Sequence, residues 1–136
     1  MNTDPVRSEL TLPNDPRLIP AVGAVVVHAA ERAGLAQAAQ EGFAAASIEA
    51  CRERFSLIHK TGGANVDLRV SVVDYPDRIE VSIENAGGSA QLGDTKMLHL
   101  TQQYAMVDRV LHETRNGRVR TTLIKYIGAH ASGPKE

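Results

Sequence analysis

The chain has 136 residues, the length of about one domain, and 43% of them are hydrophobic, which is enough to build a core without disulfide or metal staples. The formal net charge of −1 gives no general electrostatic case for binding nucleic acid or an anionic membrane surface. The single cysteine, Cys51, excludes an intramolecular disulfide, which suits a reducing compartment.

The beginning of the chain predicts a tail and a short strand. Residues 1–9 are polar and are expected to form a flexible tail, and residues 10–12 predict a strand that ends at Pro13. The tail lacks the charged and then apolar pattern of a secretion signal, and no apolar run in the chain is long enough to cross a bilayer. We therefore expect a cytoplasmic protein.

Two helices are predicted next. Asp15 can cap free backbone N–H groups, and Pro16 suits the first helical turn. Apolar residues then recur at three- and four-residue spacing up to Gly34, a plausible C-terminal cap. The second helix is alanine-rich and is predicted over residues 36–60, with Cys51 on its apolar stripe.

The second half of the chain changes to the alternation of apolar and polar residues that is typical of half-buried strands. Two hairpins are predicted, and the second is joined by Asn116-Gly117, a strong signal for a tight hairpin turn. A loop of small residues and a helix that begins at Asp94 lie between the hairpins. The predicted elements are strands at residues 66–72, 79–83, 109–114 and 118–127 and a helix at residues 94–105.

The predicted order of elements is β-α-α-β-β-α-β-β. Helices combined with hairpins predict an α+β fold, a two-layer α/β sandwich in which a mixed, mostly antiparallel sheet is covered on one face by helices. Residues 10–127 would form this single domain, and residues 128–136 would be a second flexible tail.

Six stretches resemble those of a known family in their order and in their residue types. They are residues 10–16, 30–35, 48–51, 79–88, 106–108 and 116–127. Together they resemble the GHKL (histidine-kinase-like) ATPases, and more narrowly the bacterial anti-sigma factor/serine-protein kinase family of partner-switching systems. The resemblance implies ATP and Mg²⁺ as cofactors, a homodimer, and a protein partner that is either a sigma factor or an anti-sigma antagonist. It implies neither a nucleic-acid nor a membrane partner.

The first motif of the family is a glutamate followed four positions later by an asparagine on one helix face. Glu49 matches the glutamate, which in the family acts at the nucleophile, and Glu53 stands where the family has its Mg²⁺-binding asparagine. A second carboxylate beside triphosphate and Glu49 is electrostatically costly. The alternative interpretation is a solvated, charge-laced helix face in which Glu49 pairs with Arg52.

The second motif, Asp-x-Gly-x-Gly, reads adenine in the family. Glu84 stands at the aspartate, Ala86 replaces the first glycine, and Gly88 matches the second. The alternative interpretation is a strand end that runs into a glycine loop.

The family's third, phosphate-binding segment is a glycine-rich turn that opens a helix. Here Gly93 is the one remaining glycine, and Asp94 places a negative charge at the helix start, where it suits a cap and opposes phosphate.

Departures in all three motifs predict that ATP binding is weak or lost. The first hypothesis for function is therefore a regulatory protein of anti-sigma type that acts by binding a protein partner. The second is a working ATP-dependent serine-protein kinase that uses Glu49, Glu53 and Glu84. The third is an α+β interaction domain unrelated to sigma control.

Other constellations are weak. The five histidines lack the spacing of metal ligands, so no zinc site is predicted, and His28 on the first helix is expected to be partly buried. Cys51, in the middle of a helix stripe, is a poor candidate for a nucleophile. Arg118 and Arg120 lie on one face of the last strand, which is either a partner contact or a solvated face.

Overall fold

A computed structural model describes residues 4–60, 66–86, 106–115 and 117–127 of the chain. The third predicted helix, Gly88, Gly93 and the C-terminal tail lie outside these residues. The described elements are β1 (Val6–Leu12), a short 3-10 helix (Pro16–Leu18), α1 (Pro20–Arg32), α2 (Gln37–Lys60), β2 (Leu68–Asp74), β3 (Arg78–Ala86), β4 (Arg109–Arg115) and β5 (Arg118–Tyr126).

The strands form one five-stranded open sheet in the order β1-β2-β3-β5-β4. Each of the four pairings between described strands is antiparallel, so the prediction of a mixed sheet is wrong for this part of the chain. The β4–β5 hairpin inserts its second strand next to β3, with Val81 opposite Leu123. The α+β class and the two-layer arrangement are confirmed.

Strand β1 begins earlier than predicted, at Val6, and pairs residue by residue with β2. Residues 6–9 therefore belong to the sheet, and the prediction of a tail over residues 1–9 is wrong for them. Their side chains are mostly exposed and show little apolar alternation, and it is backbone pairing to β2 that extends the strand.

The predicted first helix is divided in two. The Asp15 carboxylate accepts a hydrogen bond from the Arg17 backbone N–H at 3.1 Å, as a cap should, but the turn that follows is a 3-10 helix. The α-helix begins only at Pro20, which has no N–H to donate to the carbonyl of Pro16. Ile19 donates to that carbonyl instead, at 3.1 Å.

Helix α1 ends at the predicted glycine. Gly34 has a φ of +89°, and its N–H donates to the carbonyl of Glu31 at 3.0 Å. The N–H of Leu35 donates back to Ala30 at 3.1 Å, which completes a Schellman motif. This tight reversal lets α2 return antiparallel along α1. The two helices approach so closely that a Cβ on Gly23 would lie 2.7 Å from Cδ1 of Ile48.

The core lies between the helices and one face of the sheet. Alternate residues of β2 and β3 point toward α1 and α2, as the period of two requires. Each large apolar side chain that is fully buried contributes roughly 1.5–3 kcal/mol. The largest of these are Phe43, Phe55, Ile19, Leu68, Ile79, Ile83 and Leu123. His28, by contrast, is exposed, so the prediction that it is partly buried is wrong.

Candidate functional site

A buried polar cluster joins α2 to the sheet around Arg54, whose exposed fraction is only 3%. Arg54 Nη1 donates to Asn85 Oδ1 at 2.8 Å and to the carbonyl oxygen of Val119 at 3.4 Å. Its second amino group donates to the hydroxyl of Thr121. One guanidinium thus binds three acceptors on two strands, β3 and β5.

The periodicity of the elements explains this meeting. Arg54 lies three residues after Cys51 and four before Ile58, on the buried face of α2. Asn85 follows Ile83 by two residues, so its side chain also points toward the helices, and the register sets Asn85 opposite Val119. Arg54 from α2 and Asn85 from β3 therefore meet between the helices and the sheet.

The cluster continues to the edge strand β4. The His112 Nδ1 atom lies 3.2 Å from the Thr121 hydroxyl, and the two residues are directly opposed in the register. Because a guanidinium only donates, the Thr121 oxygen accepts from Arg54 and its hydrogen can be donated to His112. These polar contacts therefore run across α2, β3, β5 and β4. This arrangement fixes the side chains in place, and the Thr121 hydroxyl beside the His112 imidazole is buried and already bound by Arg54, so this pair is closed to a substrate.

Sequence reasoning missed this cluster. Arg54 belongs to none of the three motifs, and Asn85 falls on the unspecified position between Glu84 and Ala86. The available signal was the alternation of Ile79, Val81 and Ile83, which places Asn85 on the same inward face.

The predicted catalytic and metal-binding residues lie on α2. Glu49 accepts a hydrogen bond from Arg52 at 2.9 Å, and 41% of its side chain is exposed. Ser47 and Cys51 are fully buried, and each is two residues, or roughly 200° of helix rotation, from Glu49. Glu49 therefore lies on the side of α2 away from the buried face. Glu53, one turn later, is half-buried. The Glu49–Arg52 ion pair is the contact that the charge-laced helix interpretation predicts.

The predicted adenine-reading residue lies on the other side of the sheet. Glu84 accepts a hydrogen bond from Arg118 Nε at 2.7 Å, and Arg120 Nη2 lies 3.9 Å from its second carboxylate oxygen. The hydrogen bond from Arg118 is the main cause that lowers the pKa of Glu84, and it outweighs the effect of burial. The register places Arg69, Glu84, Arg120 and Glu113 in one row across four strands, with alternating charges.

Of the predicted site residues, the described ones are therefore not brought together. Glu49 and Glu53 lie in the helix layer, whereas Glu84 lies on the sheet face opposite the helices. Ala86 is paired through its backbone with Arg118 at the end of β3. Gly88 and Gly93 lie outside the described residues.

An open groove of about 620 Å³ runs between α1 and α2 on the side away from the sheet. Its walls are small apolar side chains such as Ala24 and Ala45, and Glu31 and Glu41 stand at the end nearest the α1–α2 turn. None of Glu49, Glu53, Glu84 and Ala86 is among the described residues that line this groove.

Cys51 is fully buried, and burial raises the pKa of its thiol to about 12, against a smaller opposing effect of the nearby Arg54 charge. It is therefore a packing residue, as predicted. Within the described ranges, no group of three or more His, Cys, Asp or Glu side chains is placed to hold a metal ion. Among the described helices, none is long and apolar enough to cross a membrane.

Comparison of the sequence with protein-family models gives no match, and a search of curated proteins gives none either.

Proposed function

We propose that this protein is a regulator of the anti-sigma/partner-switching type that acts by binding a protein partner, on a GHKL-like scaffold that no longer binds ATP. The order of two helices and two hairpins, with the helices on one face of an antiparallel sheet, supports the scaffold. The partner would be a sigma factor or an anti-sigma antagonist, the protein would act as a homodimer, and its compartment would be the cytoplasm.

The observation that carries the loss of ATP binding is the position of Glu84. Its carboxylate is paired with Arg118 on the sheet face opposite α2, the helix that holds Glu49 and Glu53. A residue that reads adenine must share a pocket with the residues that act on the phosphates. Separation by the sheet supports the loss of ATP binding for the residues that match the family motifs.

Titration calorimetry with ATP and Mg²⁺ tests this part of the proposal. We expect no saturable binding at micromolar nucleotide, and Glu84→Gln should behave like the unaltered chain. Sub-micromolar binding of ATP would overturn the proposed loss.

A second candidate function is the working serine-protein kinase. It is favoured by the placement of Glu49 and Glu53 one helical turn apart and outside the buried stripe of α2. In this case Glu49 would act at the nucleophile, Glu53 would hold Mg²⁺ and Glu84 would read adenine. Transfer of labelled γ-phosphate to a serine of the partner, abolished in Glu49→Ala and retained in Glu41→Ala, would establish it.

The identity of the partner tests the regulatory class directly. The tagged protein is used to recover partners from its native cells, and mass spectrometry identifies them. Recovery of a sigma factor or of a small antagonist protein is expected. A reproducible partner unrelated to transcription would favour an interaction domain outside sigma control.

A further inference from the structure

Strand β1 is an edge of the described sheet, and its pairing with β2 is regular. Among the described strands its one neighbour is β2, and the register between them is one-to-one, without a bulge. Its sequence from Val6 to Leu12 contains neither proline nor lysine, the residues that commonly blunt an edge. Among the described residues, no strand other than β2 pairs with the backbone of β1.

The side chains of β1 are self-complementary in one register. Directly opposed residues of antiparallel strands point to the same sheet face, so a twofold axis between two copies must pass through a residue. An axis at Ser8 sets Arg7 of each copy opposite Glu9 of the other. It also sets Val6 opposite Leu10. Val6 is 46% exposed, and the side chains of Arg7 and Glu9 are 56% and 53% exposed, so all three are open to contact.

The neighbouring registers are unfavourable. An axis at Arg7 would oppose two arginines, and an axis at Glu9 would oppose two glutamates. Like charges directly opposed in a sheet are destabilising, whereas opposite charges stabilise the pair. Within one chain Arg7 and Glu9 already lie 3.6 Å apart, so the Ser8 register would make an alternating group of four charges.

We propose that β1 is a self-pairing surface, on which a second copy of this chain adds antiparallel through residues 6–10 with its axis at Ser8. The two five-stranded sheets would then form one continuous sheet. This inference deepens the homodimer of the proposed function and rests on it for the existence of a dimer.

The opposite edge, β4, is the competing surface. An axis at Leu111, which is 37% exposed, would set Arg109 opposite Glu113. There, however, Val110 would face His112, whose ring contacts Thr121, and Glu113 already has Arg120 at 4.0 Å. The β1 pairing has an apolar pair on its inner face and a charge pair on its outer face, and we therefore favour it.

Cysteine cross-linking tests the register. The Cα atoms of directly opposed residues are about 4.5–5.5 Å apart, within the range that a disulfide spans. Ser8→Cys should therefore form a linked dimer on oxidation with copper phenanthroline. Thr11→Cys is the matched control, because it is exposed on the same strand but would lie about 20 Å from its equivalent. The unaltered chain, with Cys51 buried, should not cross-link.

Charge reversal tests the chemistry by light scattering and sedimentation. Arg7→Glu or Glu9→Arg alone should weaken the dimer about tenfold, since two attractive pairs become repulsive, and the double variant should restore it. A dimer that cross-links through Leu111→Cys, or that does not cross-link at Ser8→Cys, would overturn this inference alone. A chain that stays monomeric would overturn it together with the proposed homodimer, while the partner and ATP tests would stand.

Discussion

Contacts near the end of β3 show how the strand face on which a side chain lies determines its partners. Glu84 lies on the sheet face away from the helices and is held by Arg118. Asn85, the next residue of β3, meets Arg54 of α2 between the helices and the sheet. Glu84 and Asn85 are adjacent in sequence, and their side chains lie on opposite sides of the sheet. A substitution at each therefore has a different consequence for stability.

The Glu84 ion pair makes a prediction about pH. The pKa of Glu84 is lowered below the ordinary 4.5, so its stabilisation is present above about 4.5 and is lost as pH falls through the folded value. Glu84→Gln should lower the free energy of unfolding by about 1 kcal/mol at neutral pH. Urea unfolding at neutral pH and near pH 3 measures this loss, which should shrink at the acid pH.

The matched control is Glu113→Gln, in the same row of the sheet but 53% exposed and 4.0 Å from Arg120. It should change the unfolding free energy little at either pH. An equal loss for Glu84→Gln at both pH values would show that the ion pair does not cause it.

The thiol of Cys51 should be unreactive in the folded protein. Burial raises its pKa to about 12, so almost no thiolate exists near neutral pH. Alkylation by iodoacetamide, followed by mass spectrometry, should be slow until urea unfolds the chain. Ser56→Cys supplies an exposed thiol on the same helix and should react rapidly. Modification of both thiols at similar rates would contradict the buried placement.

At the scale of elements, the α1–α2 hairpin depends on its glycines. Gly34 is required by a positive φ at the end of α1, and Gly23 by the close approach of Ile48. These two positions determine where α1 stops and how near α2 can lie. They therefore set the geometry of the whole helical layer.

The substitution Gly34→Ala should destabilise the protein by about 1 kcal/mol, because alanine is strained in the left-handed region. Apart from its chain neighbours, no described residue comes within 4 Å of a Cβ built at this position, so the loss would come from the backbone conformation. Gly34→Asn is the control, since asparagine tolerates this conformation, and it should lose less. Midpoints of urea unfolding compare the three chains; equal midpoints for alanine and asparagine would contradict the strain.

At the scale of the whole molecule, the Arg54 cluster connects the two layers. It ties α2 to residues of β3 and β5 that are more than 30 positions away in sequence. Hydrogen bonds between buried groups contribute modestly when made, but each group left without its partner is costly. The cluster should therefore be a major determinant of how the helices sit on the sheet.

Replacement of Arg54 by methionine keeps an unbranched apolar stem and removes the guanidinium donors. We expect a loss of about 3 kcal/mol, because Asn85, Thr121 and the Val119 carbonyl lose a buried donor. Arg52→Met, on the exposed face of the same helix, should change stability by less than about 0.5 kcal/mol. Chemical denaturation measures both, and equal effects would contradict a role for the cluster in joining the layers.

Much of the fold was predictable because it follows from local periodicity. Polar residues that alternate with Val70 and Val72, and with Ile79 and Val81, predicted two of the strands. The spacing of apolar residues predicted the bounds of α2 to within one residue. Gly34 was predictable as a cap because glycine has a conformational advantage there. The start of β1 was not predictable, because backbone pairing with β2 extends it.

The sequence by itself determined the class of fold, the two layers and the inward-facing residues of each strand, since these depend on the period of neighbouring side chains. Only the tertiary structure decided that Arg54 meets Asn85 and Thr121, that Glu84 lies across the sheet from Glu49, and that every described pairing is antiparallel. These facts depend on strand order and register between distant segments. No local pattern contains that information, because it arises only when the sheet and the helices pack together.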